Sequence, residues 1–430
     1  MSLTGRAALL AVLGVVPVAA FPGLAAVVVW ALVWLLAVVV DLALAGSPRA
    51  VRVRREPLPS VRLGEPVEAP YVLSNAGKRR VRGVVRDGWQ PSAGASDPRQ
   101  PLDLPAGGRR RLVTHLTPSR RGDRRAAHVT VRSVGPLGLA AREVSIPAVG
   151  TLRVLPPFGS RKHLPAKLAR LRELDGRTAL RVRGQGTEFD SLRDYVDGDD
   201  VRSIDWRASA RRRSVVVRTW RPERDRRVLI VLDTSRTSAA RVGDEPRLDA
   251  AMDAALLLAA LASRAGDRVD LLAMDRRVRA RVEGASRTDL LPRLVNAMAP
   301  VDADLVEADW TAIASTVLSR LSQRALVVLL TPLEAASVEE GLLPVVRQLT
   351  ARHTVLLASV SDPRVAAMAT GRGDAYAVYG AAAAERAALD REAVTAELRR
   401  LGVDVVEASP AELPPRLADH YLALKAAGRL

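Results

Sequence analysis

Val228-Leu-Ile-Val-Leu-Asp-Thr-Ser-Arg-Thr237 is the stretch on which the reading of this chain turns. Five apolar residues in a row, most of them β-branched, suit a strand covered on both faces, because a half-exposed strand would alternate. The run stops at Asp233, and Ser235 and Thr237 follow at i+2 and i+4. One carboxylate and two hydroxyls on such a turn can converge on a hard cation such as magnesium. The same groups can equally cap the turn by bonding its backbone.

Downstream of Thr237 the pattern alternates. Strands are expected at Val269–Met274, Ala325–Leu330, Thr354–Val360 and Val403–Glu407. Helices are expected at Arg247–Ala265, Thr288–Met298, Thr311–Leu321, Ser337–Thr350 and Ala381–Leu401, with Pro415–Gly428 closing the chain. Such alternation predicts an α/β domain over 228–430, a doubly wound parallel sheet with helices on both faces. Upstream, 49–156 lacks helical periodicity and shows short alternating runs such as Val67–Leu73, Arg111–Leu116 and His128–Val134, separated by turn formers. That spacing predicts an all-β sandwich domain. Residues 157–227 read as a connecting segment with a short basic helix, Pro165–Leu174, ended by Gly176.

No charged residue occurs from Ala7 to Val40. A bilayer-spanning helix needs about 20 apolar residues. Phe21-Pro22-Gly23 divides the run, which predicts a transmembrane helical hairpin within 1–48, with spans Ala7–Ala20 and Gly23–Leu44. Arg6 precedes it and Arg49, Arg52, Arg54 and Arg55 follow, so both ends are expected in the cytoplasm, on a multi-pass protein of the bacterial inner membrane. Asp41 falls near the exit of the second span, where lipid headgroups would solvate it.

The 430 residues include no cysteine, which excludes disulfides, thiol catalysis and cysteine-ligated zinc. Histidines 115, 128, 163, 353 and 420 form no i, i+4 pair, so a histidine metal site is not expected. The net charge is +18, nearly all of it from arginine. Solvated surface charge is the default for such residues. With 3% aromatic residues there are few platforms on which nucleic-acid bases could stack, so nucleic acid is not the expected partner. The chain contains neither a phosphate-binding Gly-x-x-x-x-Gly-Lys-Ser/Thr loop nor a His-Glu-x-x-His zinc motif.

The Asp233, Ser235, Thr237 pattern resembles the metal-ion-dependent adhesion site of von Willebrand factor A (vWA) domains. That resemblance implies a threonine from a second loop, for which Thr288 stands available, and an aspartate from a third. Pro332 falls on the aspartate position, and neither Thr331 nor Glu334, the nearby residues that could compensate, matches the pattern, so magnesium binding is expected to be weak.

A second signal lies upstream: Gly186-x-Glu188-Phe189-x-x-Leu192-Arg193-x-Tyr195-x-x-Gly198-Asp199-Asp200-x-Arg202-x-Ile204-Asp205-Trp206-x-x-Ser209-Ala210-Arg211. It closely resembles the signature of the domain-of-unknown-function family 58. Pro118-Ser-Arg-Arg-Gly122, Gly135-Pro-Leu-Gly-Leu139 and Tyr421-Leu-Ala-Leu-Lys425 also look like that family. The resemblance implies two N-terminal spans, a β-rich segment and a vWA-like domain. It also implies a partner, since members are often encoded beside MoxR-type AAA+ ATPases.

Physically, the block mixes carboxylates and guanidiniums that can form bidentate pairs and fix one loop conformation. Glu188, Arg193, Tyr195, Asp199, Asp200, Arg202, Asp205, Trp206 and Arg211 are the candidate partner-binding residues. The expected function is a non-enzymatic scaffold or adaptor anchored through lipid contacts of the hairpin. The alternatives are a metal-dependent hydrolase using the acids of 188–205 and a membrane-tethered nucleic-acid binder using the arginines of 211–227.

Overall fold

The computed structural model describes residues 2–181, 188–221 and 226–430, with side chains of 175–191 and 219–225 left out of the description. The chain forms two compact units, Met1–Leu155 and Pro156–Leu430.

The first unit is rich in β-structure. Strands Ala140–Leu155, Gly122–Val134, Val81–Trp89 and Arg99–Leu104 follow one another in one sheet, with Ser2–Leu3 and Val61–Arg62 also paired to Ala140–Leu155. Val51–Arg55, Val67–Asn75, Arg109–Leu116 and Ala95–Ser96 form another. Tyr71, Leu73 and Leu112 from one sheet share a core with Val81, Leu102, Val129 and Val131 from the other. The alternation read in the sequence supplies this core: every second residue points inward.

Inside this core lies an ion pair. Arg55, 8% exposed at its side chain, meets Asp87, which is 0% exposed. Thr114 Oγ1 and Trp89 Nε1 each donate to Asp87 Oδ2 at 2.8 Å. The guanidinium also lies over the rings of Tyr71 and Trp89, at 5.7 and 5.2 Å from their centroids.

Helices Gly5–Leu13, Val15–Ala20 and Leu24–Leu44 belong to the same unit. Among the described residues one helical stretch, Leu24–Ala50, is long and apolar enough to cross a membrane, with mean hydropathy 2.7. Gly5–Ala20 is apolar but shorter. Asp41 departs from expectation. It is fully buried, and its carboxylate accepts the backbone N–H groups of Leu137, Leu139 and Ala140 at 2.6, 2.7 and 2.9 Å. Backbone amides, and not headgroups, solvate it. A Cβ on Gly135 would come within 2.3 Å of that carboxyl group, so the Gly135–Leu139 motif is shaped to wrap it.

The second unit is built on a six-stranded sheet in the order Val278–Val282, Arg268–Met274, Arg227–Asp233, Leu326–Leu330, Thr354–Val360, Val403–Ala408. Counted along the chain this is 3-2-1-4-5-6, the doubly wound order. All neighbours are parallel except Val278–Val282, which runs antiparallel to Arg268–Met274. Helices Trp310–Arg320 and Leu343–Thr350 pack with Val394 and Leu398 of helix Ala375–Arg400 into a large apolar cluster with the sheet. Helix Arg247–Arg264 is buried along most of its length and packs with Leu413–Ala426. The connecting helix runs from Leu164 to Arg181, longer than expected, and continues through Gly176.

Candidate functional site

In an open doubly wound sheet, ligands sit beyond the carboxyl ends of the strands where the strand order reverses. Here that point lies between Arg227–Asp233 and Leu326–Leu330, and it carries Asp233 and Thr331. Asp233 is 2% exposed. Its Oδ1 accepts the Ser235 N–H at 2.8 Å; its Oδ2 accepts Thr331 Oγ1 at 2.7 Å and Thr237 Oγ1 at 3.4 Å. Ser235 Oγ and Thr237 Oγ1 lie 3.1 Å apart. Burial pushes the Asp233 carboxyl above the ordinary range, against the pull of these donors. Beside it, Thr234 Oγ1 donates to Asp275 at 2.8 Å. Burial works to raise the Asp275 carboxyl, but the Thr234 hydroxyl, the Arg277 and Arg276 amides and the Arg279 guanidinium together hold it low.

Thr331 therefore fills the place left by Pro332, while Glu334 pairs with Arg247 at 2.5 Å. Thr288 does not reach the site. It sits in the loop after Val278–Val282, bonded to Ser286 at 3.0 Å, near Gly284, whose N–H donates to Asp270 close to the start of its strand. That is the amino end of the sheet. The loop that does abut Asp233 is 302–309: Asp304 N–H donates to Thr234 O and Arg236 N–H to Val306 O, both at 2.9 Å. Its acidic run gave no hint of this, because the resemblance pointed to a threonine.

These residues fit magnesium poorly. One buried carboxylate already accepts from the Thr331 and Thr237 hydroxyls, whereas such a cation favours several oxygen ligands and retained water. No group of three or more acidic or histidine side chains that could hold a metal occurs among the described residues. Calorimetry on the full chain should show weak or no magnesium binding. Tight binding abolished by Asp233→Ala would overturn this.

The block around Trp206 is a small folded module. Glu188–Asp194 pairs antiparallel with Val216–Arg221, and the Tyr195 N–H donates to Val215 O at 2.8 Å. Arg193 grips Asp199 with two bonds, 2.7 and 2.5 Å, and the Asp199 carboxyl is lowered by this contact and by the Val196 N–H. Asp200 accepts the Arg202 N–H at 2.9 Å. Asp205 caps helix Trp206–Arg212 through the amides of Arg207 and Ala208, at 3.0 and 2.9 Å, and accepts Arg218 Nε at 2.8 Å. These amides, with Ala208 foremost, and the guanidinium hold its carboxyl low. Each of these acids is thus spent on a local contact, and the structure does not gather them into one cluster.

Besides charged residues, the block exposes three large apolar side chains: Trp206 is 70% exposed, Val201 63% and Val196 62%. Arg202 and Arg211 are exposed beside them. The side chain of Glu188, like residues Gly184 and Gly186, lies outside the described residues. Among the described residues no hydrogen bond or ion pair joins this block to the Asp233 loop, so the two are separate candidate surfaces.

The remaining motifs serve the scaffold. Tyr421 is fully buried, its hydroxyl donates to Asp267 at 2.5 Å, and Lys425 Nζ lies 3.4 Å from the same carboxylate.

Residues 191–402 match the family described as "Protein of unknown function DUF58". No curated protein matches the chain. Similar solved structures include the PapD-like domain 7 of human CEP192, 17% identical, covering 24% of this chain and 84% of that one at a TM-score of 0.18. The CARDB domain of a Pyrococcus furiosus protein is 17% identical, covering 24% and 91% at a TM-score of 0.19. The SpRpn10 VWA domain is 12% identical, covering 45% and 94% at a TM-score of 0.28.

Proposed function

Because residues 191–402 make this chain a member of the DUF58 family, we propose that it is a membrane-anchored scaffold that works with a MoxR-type AAA+ ATPase to assemble or mature other proteins. The observation carrying this reading is the Trp206 block. Asp199, Asp200 and Asp205 are satisfied internally, while a tryptophan and two valines stay in water. Exposed tryptophan flanked by arginine is the composition of an interface hot spot. The second unit is read as vWA-like from its strand order and the Asp233, Ser235, Thr237 turn, and the two sheets of the first unit as a β-sandwich. In this reading the Asp233 turn is a capped loop. The full chain in detergent should retain a co-encoded MoxR-type ATPase on a column; no retention with or without nucleotide would sink the proposal.

The anchor is read as a hairpin. Of helix Leu24–Leu44, the part before the turn-bound Asp41 is about 17 residues, the lower end of what a membrane span needs. Ser2–Leu3 pairs with Ala140–Ala141, so the chain's start and its β-rich part share one side of any membrane that Leu24–Leu44 crosses. A chain with both ends on one side must cross an even number of times, and Gly5–Ala20 is the segment available for the other passage. Reporter fusions after Arg55 should be active only as cytoplasmic reporters. A periplasm-active fusion there would refute the cytoplasmic placement of both ends.

A further inference from the structure

The strand Val403–Ala408 ends the six-stranded sheet: among the described residues it pairs with Thr354–Val360 on one side and with no strand on the other. Along a strand the backbone N–H and C=O of one residue point to the same edge, and successive residues alternate. Ala408 O accepts from Ser361 N on the inner side at 2.9 Å, so Asp404 and Val406 also face inward. Val405 and Glu407 then turn their backbone groups outward. An exposed row of this kind is a template for another strand.

A cavity of about 570 Å³ straddles that edge. Val405 and Val406 line it from the strand, Arg399 from helix Ala375–Arg400, Arg416 and His420 from helix Leu413–Ala426, and Arg170 from helix Leu164–Arg181. Arg399 makes no ion pair among the described residues. Arg416 pairs with Glu412 one turn away, at 3.0 Å, and Arg170 shares Asp419 with Lys167. Exposed pairs such as these are weak and exchange readily. Glu407 and Asp419 line the cavity too, Glu407 lying 3.8 Å from Arg391, while Asp404 of the strand pairs with Arg429 at 3.2 Å; Arg170, Arg399 and Arg416 thus outnumber the two lining acids. Cations with weak partners or none therefore flank both sides of an open edge.

We propose that this edge takes an extended acidic segment of a partner protein as a seventh strand. Backbone hydrogen bonds to Val405 and Glu407 supply the pairing. Alternate side chains of the incoming strand fall on opposite faces of the sheet, one row on Arg399 and the other on Arg416 and Arg170. Carboxylates in both rows thus distinguish the segment from other extended peptides. The edge is independent of Trp206, so loss of ATPase capture leaves it standing.

The test uses the full chain in detergent and a fluorescein-labelled octapeptide repeating Glu-Glu-Val-Val, which puts carboxylates on both faces of a strand. Its anisotropy titration should saturate below about 1 mM, with the lysine counterpart failing to bind. The double substitution Arg399→Glu and Arg416→Glu, both at exposed positions, should weaken binding by about tenfold or more. The same glutamate peptide N-methylated at every residue keeps its charge, loses its donors and should not compete. No saturation below about 1 mM would overturn the proposal. So would equal competition by the N-methylated peptide, which would make this a charge-only anion site. Indifference to charge reversal would do the same, and a dimer of the protein alone that Arg399→Glu disperses would assign the edge to a second copy.

Discussion

Asp87→Ala is expected to cost the β-rich unit about 3–5 kcal/mol, because it leaves the Arg55 guanidinium charged, buried and unpaired. The loss has two further parts. Thr114 Oγ1 and Trp89 Nε1 lose their acceptor in a dry core. The attraction of the guanidinium to the Tyr71 and Trp89 rings does not replace a carboxylate. Hydrogen exchange at Val81–Trp89 in the full chain would report the change, with the amides of Val228–Leu232 in the other unit as internal control. Replacing both partners, Arg55→Met with Asp87→Leu, should recover most of the stability, since a well-packed apolar pair carries no desolvation cost. A loss under about 1 kcal/mol for Asp87→Ala would mean that water reaches the guanidinium.

That core ion pair could not be read from the sequence, and the reason is general to this chain. Periodicity reports which residues face a core but not which polar residues follow them in. Thr354–Val360 was legible to the residue because seven consecutive buried positions leave no other reading. Val278–Val282 was not, although Val-Arg-Ala-Arg-Val alternates as an edge strand does, because its arginines look like solvated charge. Asp41 was misplaced for a related reason. Its position at a helix end fits headgroup solvation, and only the fold brings the Gly135–Ala140 turn around it. At the Asp233 turn the sequence held the answer in part: Thr331 stood beside the proline that displaces the expected acid. Thr288 followed the family pattern to the wrong end of the sheet, since a loop's length does not say at which end of the strands it lies.

Trp206→Ala is expected to lower capture of a co-encoded MoxR-type ATPase by about 30-fold, or about 2 kcal/mol, the range of an interface anchor. The fold should not change, because the side chain is 70% exposed and no hydrogen bond of the block depends on it. Asp205→Ala should behave differently. Its carboxylate holds the amides of Arg207 and Ala208 and the Arg218 guanidinium, so its loss frees the start of helix Trp206–Arg212. Capture would then fall together with hydrogen-exchange protection at those two amides. Trp206→Phe, which keeps most of the apolar area, should restore part of the capture. The two variants separate the roles that a charge-rich motif confounds: Asp205 shapes the surface and Trp206 is the surface. If Trp206→Ala captures the ATPase as well as the parent chain does, the block is a brace for the fold and the docking site lies elsewhere. If Asp205→Ala loses capture with its amides still protected, the carboxylate itself meets the partner.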